Sequence, residues 1–193
     1  TISDIRLPCQ VSYMGDDARP IDIDCSKCIA VEESNNMKIL DNEIKESRGS
    51  GIALRGEGSY DCLVENNYIH HNGFSGLAIS FGAHDNLIQG NETSYNGIIW
   101  GGASGMTTWQ SGDNNVFNAN KCHHNQQTGE FWNDGNGLLI DGTSGRTIVT
   151  NNLFYENEGR GMGYLWDTAD GHFFANNVLY RNGYREIFTF IIP

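Results

Sequence analysis

The sequence predicts an all-β protein, a right-handed parallel β-helix solenoid of about seven coils of roughly 25 residues each. Two observations predict this fold class. An Asn recurs at near-constant spacing along most of the chain, and a Gly opens an apolar stretch once in each repeat. The composition agrees, because 24 Gly and only 3 Pro in 193 residues indicate many short strands separated by tight turns.

The Asn repeat is carried by the segments ILDNEI, VENNYI, IQGNET, FNANKC, VTNNLF and FANNVL. Spacings of 25, 24, 29, 32 and 25 residues separate the aligned Asn residues, which are Asn42, Asn67, Asn91, Asn120, Asn152 and Asn177. A second turn residue follows five positions later in every copy: Ser47, Asn72, Asn96, Asn125, Asn157 and Asn182. Asn tolerates left-handed turn geometry, and its amide can bond to neighbours above and below. The repeat therefore predicts vertical Asn ladders.

The Gly repeat keeps the same register. The residues are Gly51, Gly76, Gly105, Gly137 and Gly161, and each lies 15 or 16 residues before the next aligned Asn. A single coil cannot bury its own inward side chains. Stacking coils at the strand spacing of about 4.8 Å builds one continuous core, so equivalent residues of successive coils should become vertical neighbours.

The strand that starts at each Gly is predicted to alternate between the core and the outside. Its inward residues are Ile52, Leu54, Leu77, Ile79, Met106, Thr108, Leu138 and Ile140. Its outward residues are Ala53, Arg55, Ala78, Ser80, Thr107, Trp109, Leu139 and Asp141. The small outward residues of the first coils leave room for an extended ligand along this face.

The chain is predicted to be one domain over residues 1–193, with clear repeats over 37–185. No amphipathic helix is apparent at either end to cap the stack, and a bare solenoid end is an exposed sheet edge. Three interpretations stay open: a piece of a longer solenoid, end-to-end self-association, or ends covered by loops.

Charge and cysteine content limit the partners. The net charge of −12 makes nucleic acid and anionic membranes poor partners. The sequence also lacks a run of 18 apolar residues, the length that would predict a membrane span. A polyanionic sugar would need a bridging cation such as Ca²⁺. Five Cys leave at least one thiol unpaired within the chain. We interpret them mainly as small apolar core residues, since Cys25 and Cys28 form a lone CxxC.

The segments NNYIHHNGFSGLAI, DGNGLLIDG and NNLFYENEGRGM resemble the pectate-lyase-like superfamily of right-handed parallel β-helices, and especially polyuronate lyases and mannuronan C5-epimerases. The resemblance implies a secreted or cell-surface protein that acts on a polysaccharide, and the function it favours is that of a lyase or epimerase. The Asp-Pro-His signature of the epimerases is absent, so the resemblance transfers a binding face and no catalytic set. A non-catalytic polysaccharide-binding or adhesion module and a structural solenoid are the alternatives.

Two insertions interrupt the repeat at one corner. The step from the aligned Asn to the following Gly is nine residues in three coils, but 14 from Asn91 to Gly105 and 17 from Asn120 to Gly137. A solenoid core cannot absorb extra residues, so both insertions must leave as loops on neighbouring coils. The resemblance implies that such loops wall a sugar cleft along the Gly-led strand.

Candidate site residues follow from these loops and that strand. Aromatic faces bind sugar rings, so the predicted substrate-binding residues are Trp100, Trp109, Trp132 and Glu130. The predicted catalytic residues are Asp141, Asp134, His124 and Arg55, which supply carboxylates and a base. Glu130, Asp134 and Asp141 are the predicted oxygen ligands for Ca²⁺.

Each of these predictions has a structural alternative. A large loop can pack its own Trp, as with Trp100 or Trp132. The pairs Asp134-Gly135 and Asp141-Gly142 are also typical of turns. His70-His71 and His123-His124 occupy the same columns two coils apart, and we interpret them mostly as exposed residues of a sheet face.

Overall fold

The computed structural model describes residues 2–3, 12–13, 20–22, 27–128, 134–167 and 171–191. These residues form 22 strands and no helix. In the part of the chain so described, no helix has the length and apolarity needed to cross a membrane.

Three parallel sheets run along the molecule. Sheet 1 contains β4 (Ile29–Glu32), β7 (Ile52–Arg55), β10 (Leu77–Ser80), β13 (Ser104–Trp109), β16 (Asn136–Asp141), β19 (Met162–Asp167) and β22 (Ile187–Ile191). Sheet 2 contains β5 (Lys38–Leu40), β8 (Leu63–Glu65), β11 (Leu87–Gln89), β14 (Asn115–Asn118), β17 (Thr147–Thr150) and β20 (Phe173–Ala175). Sheet 3 contains β1 (Ile2–Ser3), β6 (Glu43–Lys45), β9 (Tyr68–His70), β12 (Glu92–Ser94), β15 (Lys121–His123), β18 (Leu153–Tyr155) and β21 (Val178–Tyr180).

Each coil passes from sheet 1 to sheet 2 to sheet 3 and then rises to the next coil. The described strands make six complete coils, with β1 and β22 as additional outer strands. The predicted β-helix is confirmed, with one complete coil fewer than expected. A separate antiparallel hairpin is formed by β2 (Ser12–Tyr13) and β3 (Pro20–Asp22).

The predicted register is confirmed along sheet 1. Ala53 pairs with Ala78, Ala78 with Thr107, and Thr107 with Leu139. The inward residues of these strands are no more than 1% exposed, from Ile52 and Leu54 to Leu138 and Ile140. The core therefore runs along the axis of the solenoid, between the three sheets.

Asn ladders hold the coils together at the corner between sheets 2 and 3. The Oδ1 of Asn91 accepts the backbone N–H of Asn67 at 2.9 Å and its side-chain N–H at 3.0 Å. Asn91 in turn donates to Oδ1 of Asn120 and to the carbonyls of Val64 and Gln89. The same bonding links the whole predicted column from Asn42 to Asn177.

Two further ladders use the same chemistry. The second predicted column, from Ser47 to Asn182, bonds in the same way at the corner between sheets 3 and 1. A shorter ladder at the corner between sheets 1 and 2 was not predicted. There the side-chain amide of Asn86 donates to Oδ1 of Asn115 at 3.0 Å.

The left-handed backbone lies one residue before the ladder Asn and not on it. Positive φ values occur at Asp41, Asn66, Gly90, Ala119, Asn151 and Asn176. The preceding residue makes the bend, which leaves the ladder amide pointing into the corner, where it reaches the coils on both sides. The prediction that the ladder Asn itself adopts the left-handed geometry is therefore wrong, whereas the prediction that its amide bonds to the coils above and below is confirmed.

The described cysteines behave as predicted. Cys28, Cys62 and Cys122 are buried in the core, and Cys62 and Cys122 are free thiols. Cys122 is fully buried, and desolvation raises the pKa of its thiol to about 12. These thiols fill space in the core and are not poised for chemistry.

Replacing one ladder residue should test how far the ladders stabilise the fold. Asn91→Ala leaves the buried N–H groups of Asn67 without their acceptor, so we expect a loss of about 2–4 kcal/mol in the free energy of unfolding. Chemical denaturation of wild type and variant measures this loss. The exposed Asn35→Ala should change stability by less than about 0.5 kcal/mol, and equal losses in both variants would contradict a special role for the ladder.

Candidate functional site

A straight row of outward side chains crosses sheet 1 near the ends of its strands. Successive pairs in the strand register place five residues in line, which we call the outer row: Glu32, Arg55, Ser80, Trp109 and Asp141. Neighbouring strands lie about 4.8 Å apart, so the row presents one side chain at each such step. Three predicted site residues, Arg55, Trp109 and Asp141, are brought into one line.

Arg55 is held partly by an aromatic neighbour. Its guanidinium lies over the ring of Phe81, 4.6 Å from the centroid, and the side chain is only partly buried. This contact with the ring fixes the cation beside the row. Arg55 is therefore placed to contact a ligand that lies along the outer row.

Trp109 and Asp141 meet through the turn that follows β16. A Cβ added to Gly142 would lie 2.8 Å from Cε3 of Trp109, so the indole packs directly on that glycine. Oδ1 of Asp141 accepts the backbone N–H of Gly142 at 2.7 Å, and the carbonyl of Asp141 accepts the hydroxyl of Ser144. Asp141 is buried, and its hydrogen bonds hold the turn that follows β16, as the structural alternative predicts.

Trp100 lies at the opposite end of the sheet 1 strands. Its indole N–H donates to the carbonyl of Arg48 at 3.2 Å, and its backbone N–H donates to the carbonyl of Gly73. The first loop thus folds back over the corner of the two preceding coils. Trp100 and Trp109 are separated by the length of β13, about 17 Å for a strand of this length, so these two Trp do not converge on one corner.

The predicted carboxylate cluster is also spread out. Asp134 is buried just before β16 begins, and Asp141 ends that six-residue strand. Asp134 interacts electrostatically with Arg160 at this corner. Burial lowers the pKa of Arg160, and the negative charge of Asp134 acts to raise it. Asp134 and Asp141 therefore cannot ligate one ion together.

Glu130, Phe131 and Trp132 lie outside the described residues. Within the ranges that are described, no group of three or more His, Cys, Asp or Glu side chains could hold a metal ion. The predicted Ca²⁺ set of Glu130, Asp134 and Asp141 is therefore wrong as a single site, because Asp134 and Asp141 lie at opposite ends of β16. A Ca²⁺ site that uses Glu130 with one of the two stays a prediction.

His124 belongs to a continuous row of rings beside sheet 3. We call this row the ring strip, and it contains Tyr68, His70, His71, Tyr95, His123, His124, Tyr155 and Tyr180. Stacked contacts join successive members at centroid distances of 4.1–5.2 Å, and edge contacts join the two rings of each His pair. The ring strip borders the corner from which the loops leave, whereas Arg55 and Asp141 lie at the far ends of the sheet 1 strands.

The two His pairs are hydrogen bonded and not simply exposed. His70 and His71 share an Nδ1···Nδ1 contact of 2.7 Å, and Nε2 of His70 lies 3.2 Å from Oε1 of Glu43. Two coils further on, His123 and His124 share a 2.8 Å contact, and Nε2 of His123 lies 3.0 Å from Oε1 of Glu92. His70 and His123 are only 8% exposed, so the earlier interpretation of these residues as exposed is wrong for both.

Sequence reasoning missed these Glu-His-His units, although a signal was present. Glu43 and Glu92 stand in one column of sheet 3, each one coil before a His pair. Each Glu also binds a Lys, namely Lys45 at 2.9 Å and Lys121 at 3.2 Å. The bonds from Lys45 and His70 lower the pKa of Glu43; partial burial of Glu92 acts to raise its pKa, but the bonds from His123 and Lys121 outweigh it.

The comparisons with known proteins agree with this architecture. The sequence profile of the right-handed β-helix region family matches residues 18–189, so the chain belongs to that family. No curated protein matches the chain.

The solved structures that are similar to it include the following two. The first is the crystal structure of the periplasmic alginate epimerase AlgG, with a TM-score of 0.61 and 17% identity over 86% of this chain and 42% of the other. The second is a point mutant of that epimerase, with a TM-score of 0.56 and 19% identity over 81% of this chain and 36% of the other. The TM-scores show a shared fold, and at such low identity the similarity shows nothing beyond the fold. The chain spans less than half the length of either structure.

The contact between Trp109 and Gly142 gives a structural test. Gly142 has a φ of +67°, so Gly142→Ala is strained and also pushes the indole away; we expect a loss of about 1–3 kcal/mol in stability and a shift in Trp emission. Gly171→Ala shares the positive φ, but its Cβ meets only the flexible Arg146 side chain at 3.4 Å. It should destabilise without shifting the emission, and an emission shift that persists in the Trp109→Phe background would refute the contact.

Proposed function

We propose that this chain is a carbohydrate-active β-helix protein that holds an extracellular or periplasmic polysaccharide along the outer row of sheet 1. The observation that carries the proposal is the alignment of the partly exposed Arg55 and Trp109 in one straight register. A long polymer needs repeated contacts at constant spacing, and a flat parallel sheet supplies them. Arg55 offers a cation and Trp109 an apolar ring face, a pair that suits an acidic sugar.

The reaction we propose on this face is lyase or epimerase chemistry on a uronate. Both begin with transfer of the proton next to the sugar carboxylate to a base, after a cation has neutralised that carboxylate. Arg55 is the described residue placed to neutralise it, and Ca²⁺ is the second cation we propose, because the net charge of the chain is −12. Similarity of fold to a periplasmic alginate epimerase supports this choice of substrate class.

A non-catalytic binding module is the second candidate, and one observation favours it. Of the four predicted catalytic residues, His124 and Asp134 lie at the corner between sheets 3 and 1, whereas Arg55 and Asp141 lie at the far end of the sheet 1 strands. A base and an acid at opposite ends of a strand cannot serve one sugar ring. A face without a nearby base would bind the polymer and leave it intact.

Incubation with alginate, pectate and glycosaminoglycans, with Ca²⁺ or with a chelator, separates the two candidates. A lyase forms an unsaturated sugar that absorbs in the ultraviolet, and an epimerase changes the ratio of uronate isomers seen by proton NMR. We expect one of these signals with at least one uronate polymer. Binding with neither signal supports the module, and absence of binding to every polymer contradicts the whole proposal.

Substitutions in the outer row should locate the bound polymer. Trp109→Ala and Arg55→Gln should each weaken binding by about 10-fold or more, because each removes a stacking or charge contact. Trp100→Ala is the matched control, since that indole lies at the other end of the strands and should change affinity by less than about twofold. Affinity electrophoresis or calorimetry measures the change; a larger loss with Trp100→Ala would move the site to the loop corner.

A further inference from the structure

The two Glu-His-His units of the ring strip repeat one geometry two coils apart. His70 and His71 bring their Nδ1 atoms to 2.7 Å, and His123 and His124 bring theirs to 2.8 Å. Neighbouring residues of a strand normally face opposite sides of the sheet. In both pairs the second His has a left-handed backbone, with a φ of 53°, so the two rings lie on the same outer side of sheet 3.

The inner imidazole of each pair is oriented through its other ring nitrogen. Nε2 of His70 lies 3.2 Å from Oε1 of Glu43, and Nε2 of His123 lies 3.0 Å from Oε1 of Glu92. A carboxylate bonded to one ring nitrogen is the usual outer partner of a His that binds a metal ion through the other nitrogen. Here that other nitrogen is the Nδ1 that faces the second ring of the pair.

The outer imidazole of each pair lies at the surface. Tyr95 lies between the two outer rings and stacks on His71 and on His124, at 5.0 Å in each case. His71 is exposed and His124 is partly exposed, whereas the inner His70 and His123 are each only 8% exposed. Each pair therefore combines a fixed inner ring with an outer ring that solvent can reach, so a small ion has access to the space between the two Nδ1 atoms.

We propose that each of the two His pairs is a two-nitrogen site for a monovalent copper ion, Cu(I), or for its chemical analogue Ag(I). Two ligands are fewer than structural Zn²⁺ or Ca²⁺ sites use, and the described residues contain no group of three or more such ligands. Cu(I) and Ag(I) are bound well by two nitrogens in a straight line, and imidazole is a common copper ligand. Both sites lie beside sheet 3, apart from the outer row, so they are independent of the proposed polysaccharide site.

The bound ion takes the place of the proton that the two Nδ1 atoms share. A hydrogen bond between two imidazole nitrogens needs one N–H and one lone pair, and the ion displaces that proton to solvent or to Nε2 of the same ring. Metal–nitrogen bonds of about 2 Å place the two nitrogens about 4 Å apart, so each pair must open by about 1 Å. The outer ring can make this movement at the surface while the Glu-bound inner ring stays in place.

Silver titration of the whole chain, followed by nitrogen-15 NMR of the imidazoles, tests the proposal. Silver nuclei are magnetic, so a nitrogen bonded to Ag(I) gives a split signal, and prior alkylation of accessible thiols keeps cysteines from competing. With two equivalents of Ag(I), we expect splitting at Nδ1 of both members of each pair, and none at His84, a single His bonded to Asp85. A pair that shows no splitting, or splitting at only one of its two Nδ1 atoms, would overturn the proposal for that pair.

Substitution of one carboxylate gives a matched comparison within a single chain. Glu43→Gln should weaken the first site by about 10-fold or more, because loss of the outer partner of a metal-binding His costs this much affinity. The second site should keep its affinity, because Glu92 is intact. His71→Ala should remove one bound ion per chain, and His124→Ala should remove the other.

Anaerobic competition with a colorimetric Cu(I) chelator measures these affinities and the number of ions bound to the alkylated chain. Unchanged affinity of the first site in Glu43→Gln would contradict the proposed role of the carboxylate. Two ions still bound after both His71→Ala and His124→Ala are introduced would show that Cu(I) binds elsewhere and would overturn the proposal. Neither measurement depends on polysaccharide binding.

Discussion

The vertical register between coils is the constraint on which the rest of the structure depends. A coil of three short strands buries its inward side chains only if the next coil places its own apolar residues directly above them. The Asn ladders enforce that alignment, since each amide bonds to the coils on both sides and satisfies backbone groups that the corners would otherwise leave buried and unpaired. Core, outer row and ring strip all follow from this alignment.

Much of the fold could be predicted from the sequence, because the same contacts recur in every coil. The recurring Asn and Gly positions predict the register, and the alternation after Gly51 or Gly76 predicts which side chains face the core. The placing of Arg55, Trp109 and Asp141 in one line follows from the same register. A column that appears six times is a strong signal even when each copy alone is weak.

What could not be predicted depends on single contacts that do not repeat. The direction in which the first loop folds is decided by bonds from Trp100 to Arg48 and Gly73, and no periodic pattern contains them. The His pairs repeat only twice, and the repeat does not predict which ring nitrogen contacts which carboxylate. The extent of β16 (Asn136–Asp141) separates Asp134 from Asp141, so residues close in sequence were grouped although they lie far apart.

The unequal steps between aligned residues have an engineering consequence. The segment from each Gly to the next Asn stays at 15 or 16 residues, while the step from Asn to Gly grows from nine to 14 and 17 without loss of alignment in the neighbouring coils. Extra residues are therefore tolerated at one corner of the solenoid, the corner between sheets 3 and 1. Foreign peptides grafted there, for instance after Ile98, would be displayed side by side at the spacing of the stacked coils. The solenoid could therefore present epitopes at fixed intervals.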